Sequence, residues 1–169
     1  MNGLVLASTT PGWPLGYPMP QPTMRLMAST RRLPREVALR RHVENALSRT
    51  TVDQDPALVD RLVESLRGRP HDPDAWFALA AAGGRYYGGT RHREIKAQTL
   101  VMHGTADTVV DPRNSRLLAE GISNSRLVLL EGLGHLFFWE RPDVFVEEVT
   151  HCLSPSRTAI VRADRAHDA

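Results

Sequence analysis

Residues 95–112 read Ile-Lys-Ala-Gln-Thr-Leu-Val-Met-His-Gly-Thr-Ala-Asp-Thr-Val-Val-Asp-Pro, and this stretch decides the fold prediction. The apolar run from Leu100 to Met102 predicts a buried strand that ends at Gly104. Asp111 followed by Pro112 is a typical start of a helix, because proline needs no N–H donor in the first helical turn. The stretch therefore predicts a strand, a polar loop and a helix in immediate succession.

A second strand and helix follow the first pair. Residues 126–130 predict a strand, and Glu140-Arg141-Pro142 leads into a helix that reaches about Leu153. Upstream, the apolar residues 3–8 predict a strand buried on both faces, as in a parallel sheet. Strands that alternate with helices over short links predict an α/β fold, with a doubly wound sheet of about three parallel strands.

The segment between the first two strands has a different character. Five prolines in residues 11–24 predict an extended loop, since proline removes backbone donors and fixes φ. Residues 34–82 predict several short helices with apolar residues at intervals of three and four, and with Asp55-Pro56 and Asp72-Pro73 as helix starts. Residues 154–169 contain few large apolar residues, and we expect a poorly ordered tail.

Length and composition set limits on the class of protein. The 169 residues suffice for one domain, and 41% apolar with 24% charged residues is typical of globular proteins. No stretch approaches the roughly 18 consecutive apolar residues of a membrane span. Cys152 is the single cysteine, which excludes a disulfide framework and a cysteine-rich zinc site. We expect a cytoplasmic protein that does not act at a membrane.

The basic residues raise the question of nucleic-acid binding. The net charge is only +2, but five arginines cluster in residues 31–41, just before and within the first predicted helix. They are Arg31, Arg32, Arg35, Arg40 and Arg41. Glu36 and Glu44 interrupt the cluster, and no aromatic residues are interleaved for base stacking. The pattern favours a solvated helix face over a nucleic-acid interface, so no nucleic-acid partner is expected.

Two polar segments follow predicted strands, where ligands bind in open α/β sheets. Asp107 follows one strand and His135 follows the next. A carboxylate can hold an imidazole in one tautomer and stabilise its protonated form, as a general base in acyl transfer requires. The residues taken singly also allow structural roles: Asp107 could bind loop amides, and His135 could be a hydrogen-bonded core histidine.

Other polar residues near the strand ends have simpler interpretations. Asp111 is better explained as a helix cap, and His103 within a strand as a core or supporting residue. Ser8 and its two threonine neighbours could touch a substrate at the end of the first strand. The remaining histidines show no metal-ligand spacing, so neither a metal nor an organic cofactor is expected.

Taken together, the two segments resemble the end of an α/β-hydrolase sequence. Residues 95–112 resemble the segment that carries the catalytic acid, with the pattern strand, His-Gly, two variable residues, Asp. Residues 125–142 resemble the next strand, the Gly-x-Gly-His segment and its helix, and residues 2–9 resemble the sixth strand of the family. The resemblance implies that Asp107 is the acid and His135 the base of a nucleophile-His-Asp triad.

The resemblance also implies a domain organisation. Residues 2–10 and 95–153 would form part of the hydrolase core, and residues 11–94 match the position of the helical lid. Apolar side chains of the lid, together with the residue after the catalytic histidine, would bind a small apolar acyl or ring substrate. The candidates are Trp13, Tyr17, Met19, Trp76 and Leu136. Several of the lid aromatics could instead only pack the lid onto the sheet.

The chain departs from the family in one respect that affects function. The nucleophile motif G-x-S-x-G is absent from the 169 residues, as are the family's first five strands. The expectation is a C-terminal portion of a hydrolase of esters, lactones or similar small acyl substrates, truncated or given too late a start codon. The alternative is an inactive fragment, or one half of a split hydrolase, that binds a partner chain. In both cases the first strand would expose an open edge, from which we expect self-association or pairing with another chain.

Overall fold

The computed structural model describes residues 3–69 and 72–154. The elements run in this order: β1 (Gly3–Ala7), α1 (Gln21–Thr30), α2 (Arg35–Ala46), α3 (Arg49–Gln54), α4 (Pro56–Arg67), α5 (Pro73–Gly84), a 3-10 turn (Arg91–Glu94), β2 (Gln98–Gly104), α6 (Arg113–Gly121), β3 (Ser125–Leu130), α7 (Phe137–Glu140) and α8 (Pro142–Leu153). Apart from Ser154, the tail predicted to be disordered lies outside the described residues.

Within the described residues the sheet has three parallel strands in the order β1-β2-β3. Ala7 pairs with Met102, and His103 pairs with Leu129. Strand β2 is the central one and is almost wholly buried, whereas every residue of β1 is only partly buried. The predicted α/β architecture with about three parallel strands is confirmed, and it brings the carboxyl ends of all three strands to one edge of the sheet.

Helices cover both faces of this sheet. Leu100 and Met102 face α8 and pack with Phe137, while Val101 faces the other way and packs with Leu118 of α6. Successive residues of a strand point to opposite faces, so a continuous apolar run is what a strand with two covered faces requires. The apolar run of β2 is therefore explained by its central position.

Helices α1 to α5 lie between β1 and β2 and are called here the helical insertion (residues 21–84). Its core is a separate apolar cluster formed by α2, α4 and the residue after α2. The buried members are Val43, Leu47, Leu58, Val59, Leu62 and Val63. The predicted caps are confirmed, since Asp55 accepts a hydrogen bond from Leu58 N at 3.0 Å and Asp72 accepts one from Asp74 N at 2.9 Å.

The predicted loop over residues 11–24 is wrong at its end. Helix α1 begins at Gln21, and Pro22 lies in its first turn. Proline is tolerated there because the first N–H groups of a helix have no partner within the helix. The density of prolines thus concealed a helix start. The short helix α7 and the 3-10 turn had no counterpart in the prediction.

None of the helices in the described part of the chain is long and apolar enough to cross a membrane.

Candidate active site

Asp107 lies three residues beyond β2, and its buried carboxylate receives four hydrogen bonds. Oδ1 accepts from Val109 N at 2.7 Å and from Val110 N at 2.9 Å. Oδ2 lies 2.9 Å from His135 Nδ1 and 2.8 Å from His103 Nε2. The loop amides hold one oxygen, so that the other can face two imidazoles.

These contacts decide the ionisation of Asp107. Burial opposes ionisation and by itself would raise the pKa. The hydrogen bonds from His103 and His135, the attraction of the His135 imidazolium and the Val110 amide outweigh burial and lower the pKa of Asp107 to about 2. Asp107 is therefore a carboxylate at neutral pH, although its side chain is buried.

His135 lies in the loop that follows β3 (residues 131–136, called here the histidine loop). This loop packs directly against the end of β2, where a Cβ on Gly104 would lie 2.2 Å from Leu133 O and 2.4 Å from Gly134 O. Only glycine fits there, which explains the His-Gly pair at the end of β2. Ser8 Oγ donates to the carbonyl oxygen of His135 at 3.0 Å and fixes its backbone from the side of β1.

The contacts of His135 define its tautomer. Since an ionised carboxylate only accepts hydrogen bonds, Nδ1 of His135 must donate to Asp107. The imidazole is about one-quarter exposed, and no hydrogen bond joins its Nε2 to another described residue. Nε2 is thus the nitrogen that can take up or deliver a proton in this arrangement.

His103 is a buried residue that supports Asp107, in agreement with the core or supporting role expected from its place in a strand. It is fully buried, donates through Nε2 to the same Asp107 oxygen as His135, and meets Ser115 Oγ of α6 through Nδ1 at 2.5 Å. Its contact with Asp107 itself was not expected. The available signal was the spacing of four residues between His103 and Asp107 across a strand end.

Comparisons with known proteins identify the family of this arrangement. A family model described as "Serine aminopeptidase, S33" matches residues 1–142. The chain belongs to this family of α/β hydrolases. The family name describes the group as a whole and carries no statement about the substrate of this chain.

Similar proteins of this hydrolase fold are longer than the chain. A 2-hydroxy-6-oxononadienedioate/2-hydroxy-6-oxononatrienedioate hydrolase of Escherichia coli (strain K12 / DH10B) is 28% identical over 152 residues, which are 89% of this chain and 53% of that protein. The chain spans about half the length of the curated relatives that it matches.

Solved structures agree on the fold. An esterase from Exiguobacterium antarcticum superposes with a TM-score of 0.73 at 21% identity, covering 90% of this chain and 57% of the esterase. The enol-lactonase from Burkholderia xenovorans LB400 also gives 0.73, at 20% identity, covering 92% of this chain and 57% of that structure. Identities this low establish a shared α/β-hydrolase fold alone.

The residues predicted to bind substrate are spread over the hydrolase chain. Trp13 is 62% exposed, and Met19 is half-buried in the same proline-rich loop. Tyr17 is anchored to α6, because its ring lies 3.9 Å below the Arg113 guanidinium and its N–H donates to Asn114 at 2.7 Å. Leu136 follows His135 and is half-buried.

Leu136 packs against the apolar cluster of the helical insertion, and its N–H donates to Ala46 O at 2.9 Å. The side chain of Trp76 lies outside the described set. The structure therefore brings Asp107 and His135 together with His103. A substrate-binding role for Trp13, Tyr17, Met19, Trp76 and Leu136 stays a prediction.

Ser8 and the two threonines that follow it lie at the carboxyl end of β1, as expected. Ser8 is a non-glycine residue with φ of 44°, a left-handed conformation that occurs at functional sites more often than elsewhere. Its hydroxyl donates a hydrogen bond to His135 O, and its N–H donates one to Met102 O.

Thr9 and Thr10 line a cavity of about 450 Å³, which Tyr86 and His92 also border.

In residues 3–69 and 72–154, no group of three or more His, Cys, Asp or Glu side chains is placed to hold a metal ion.

The arginine cluster is partly neutralised by acidic residues. Arg40 forms an ion pair with Asp60 and lies 3.8 Å from Glu44, and Arg31 lies 3.4 Å from Asp74. These pairs favour the interpretation as a solvated helix face over a nucleic-acid interface.

Proposed function

We propose that Asp107 and His135 are the acid and the base of a hydrolytic site that acts on an ester, lactone or similar small acyl substrate. The observation that carries the proposal is the 2.9 Å contact between Asp107 Oδ2 and His135 Nδ1 at the carboxyl edge of the sheet. It orients the imidazole so that Nε2 remains available for proton transfer.

The proposed reaction follows from this orientation. His135 Nε2 accepts the proton of a nucleophilic hydroxyl while that oxygen attacks the acyl carbon, and it then delivers the proton to the departing oxygen. A water molecule then attacks the acyl carbon while its proton passes to His135 Nε2. His135 returns this proton to the oxygen of the nucleophile, which leaves as a hydroxyl group. Asp107 remains ionised throughout, holds Nδ1–H and stabilises the imidazolium while the charge develops on the substrate oxygen.

The nucleophile belongs to residues outside this sequence. The 169 residues contain no G-x-S-x-G motif, and in this superfamily the amides that stabilise the oxyanion come from the same missing part. The proposed role of the present chain is to supply the acid, the base and the helical insertion. The insertion would act as a lid over the substrate, with Trp13, Tyr17, Met19, Trp76 and Leu136 as its apolar contacts.

The choice of substrate class has support from similar proteins. The E. coli relative is named a hydrolase of one nonadienedioate and one nonatrienedioate, and the structural neighbours include an esterase and an enol-lactonase. The esterase and the enol-lactonase hydrolyse ester and lactone bonds, and the E. coli relative is named for hydrolysis of two keto diacids. Hydrolysis at a carbonyl carbon is the chemistry that these names share.

The proposal is tested in a protein that contains the nucleophile. The DNA upstream of the Met1 codon is read in the same frame, and any α/β repeats with G-x-S-x-G found there are expressed together with residues 1–169. A panel of small esters and lactones is then assayed with His135→Ala, Asp107→Asn and the matched control His151→Ala. We expect losses of about 10³-fold or more in kcat/KM for the first two. Full activity of His135→Ala would contradict the proposal.

A second candidate function is binding of another chain along β1. Strand β1 pairs with β2 along one edge, and no described strand pairs with its other edge. An open edge with apolar residues is a template for strand addition. If a stop codon precedes Met1, we expect a separately encoded chain with the first five strands to copurify with this one. Failure of such a chain to bind would count against this candidate.

A further inference from the structure

The carboxylate of Glu140 connects two parts of the molecule that are far apart in sequence. Oε1 accepts from Gly134 N in the histidine loop at 2.7 Å. Both oxygens lie 3.3 Å from Ser48 N, and Oε2 accepts from Thr51 Oγ1 at 2.5 Å. In the described part of the chain all of its partners are N–H or O–H donors and none is a cation. Glu140 is thus a bridge between the histidine loop and the start of α3.

The segment that Glu140 holds comprises the last two residues of α2 and the turn that leads into α3 (residues 45–48, called here the insertion turn). The same turn contacts both loops of the candidate site. Its Ala46 O accepts from Leu136 N at 2.9 Å, and its Asn45 O accepts from Thr108 Oγ1 at 2.7 Å. Thr108 directly follows Asp107 in the sequence, and Leu136 directly follows His135. The insertion turn therefore touches the neighbours of both members of the acid-base pair.

The histidine loop and the insertion turn pack tightly against each other at Gly134. A Cβ on Gly134 would lie 2.5 Å from both Leu47 C and Ser48 N, so the backbones of the histidine loop and the insertion turn are in direct contact. A charged acceptor makes stronger hydrogen bonds than a neutral one. Glu140 therefore adds charge-assisted hydrogen bonds to both sides of this contact, from Gly134 N and from Ser48 N.

We propose that Glu140 is a positioning residue that couples the helical insertion to His135 through the insertion turn and Gly134. The inference rests on the proposed function, in which His135 is the base and the insertion is the lid. Its consequence is that the place of the lid on the core determines the orientation of the imidazole. Lid position and proton transfer would then change together.

The test uses the 169-residue chain and NMR readouts that involve no turnover. In Glu140→Gln one acceptor oxygen becomes an NH₂ group, which then faces the N–H of Ser48 instead of accepting from it. We expect the Gly134 amide proton to move upfield and its hydrogen exchange to accelerate about tenfold or more. The Nδ1 proton of His135, bound to Asp107, should also shift or exchange faster. The matched control is Asp143→Asn, whose carboxylate is exposed and pairs with Arg141, and it should leave all these signals unchanged.

A second variant keeps the test valid if Glu140→Gln fails to fold. Thr51→Val removes the hydroxyl that donates to Glu140 and accepts from Ser48 Oγ, and this hydroxyl bonds neither Gly134 nor His135. Coupling predicts that it still perturbs the His135 Nδ1 proton. An unchanged His135 signal in Thr51→Val, or in folded Glu140→Gln, would overturn the inference and leave Glu140 as a structural bridge. Because no catalysis is measured, this outcome is distinct from failure of the ester and lactone assay.

Discussion

Asp107 illustrates at the scale of one residue how a buried charge is kept ionised. Removal from water disfavours a carboxylate, yet two amides and two imidazoles compensate because each directs an N–H at an oxygen. The same contacts that lower the pKa of Asp107 also orient His135. Ionisation of Asp107 and orientation of the His135 imidazole thus depend on the same contacts.

The ionisation of Asp107 predicts a pH dependence of stability. The pKa of Asp107 is lowered from 3.8 to about 2 in the folded chain. A lowered pKa contributes stability that is present above pH ~4 and is lost as the pH falls toward ~2, with a magnitude of about 2 kcal/mol. The free energy of unfolding in urea is measured at several pH values. In Asp107→Asn it should not show this loss at low pH, whereas the control Asp53→Asn, changed at an exposed residue, should still show it. The same pH dependence in wild type and Asp107→Asn would contradict the lowered pKa of Asp107.

His103 should control the ionisation of Asp107 through its Nε2–H. His103→Leu removes that donor, so the pKa of Asp107 should rise above about 2. His103→Gln can still direct an N–H at the same oxygen and should stay closer to the wild-type value. Carbon-detected NMR titration of the Asp107 carboxyl group measures both. A pKa that is the same in all three proteins would show that His103 has no influence on the acid.

The sequence contained part of this site and concealed another part. Asp107 and His135 could be proposed because both follow predicted strands that end at one edge, and the family resemblance decided between a catalytic and a structural role. Only their spacing of four residues linked His103 to Asp107, because the contact depends on which face of the sheet the His103 side chain takes. The contacts of Glu140 with Ser48 and Thr51 could not be predicted, because these residues lie about ninety positions away in the sequence.

At the scale of elements, the junction between β2 and the histidine loop is the most restrictive. A methyl group on Gly104 would overlap the carbonyl oxygens of Leu133 and Gly134. We expect Gly104→Ala to lower the free energy of unfolding by about 2 kcal/mol or more and to displace His135. Gly68→Ala is the control, because no atom lies within 4 Å of a Cβ there. A Gly104→Ala chain as stable as the control would mean that the loop does not pack against β2 as described.

The elements themselves were largely predictable. The apolar runs of β1, β2 and β3 and the Asp-Pro starts of α4 and α5 are local signals, and local signals need no knowledge of distant contacts. Helix α1 was missed because proline is ambiguous: it breaks a helix in the middle but is accepted in the first turn. The local sequence could not distinguish a proline that interrupts a helix from one that lies in its first turn.

At the scale of the whole molecule, β1 and β3 are the two edge strands of the described sheet, and no described strand pairs with the outer edge of β1. Its partly buried residues and unpaired edge predict that the chain alone self-associates as its concentration rises. Sedimentation velocity over a wide concentration range measures this directly. A clean monomer at all concentrations, with cooperative thermal unfolding, would contradict the view that β1 normally lies beside another strand.

The docking of the helical insertion was beyond sequence analysis. Helical periodicity identified most of its helices but gave no information on which turn meets the core. That contact depends on backbone atoms of the insertion turn and on Gly134, whose close approach no hydrophobic pattern encodes. The mutual arrangement of the helical insertion and the candidate site is therefore what the structure adds.

If Asp107 holds His135 as a general base, the neutral His135 imidazole carries its proton on the nitrogen that faces Asp107. Nitrogen-15 NMR of the neutral imidazole distinguishes a proton on Nδ1 from a proton on Nε2. The Asp107 contact predicts the Nδ1–H tautomer in the wild-type chain, with a shift toward Nε2–H in Asp107→Asn. A wild-type His135 that carries its proton on Nε2, or that does not respond to Asp107→Asn, would contradict this role of Asp107.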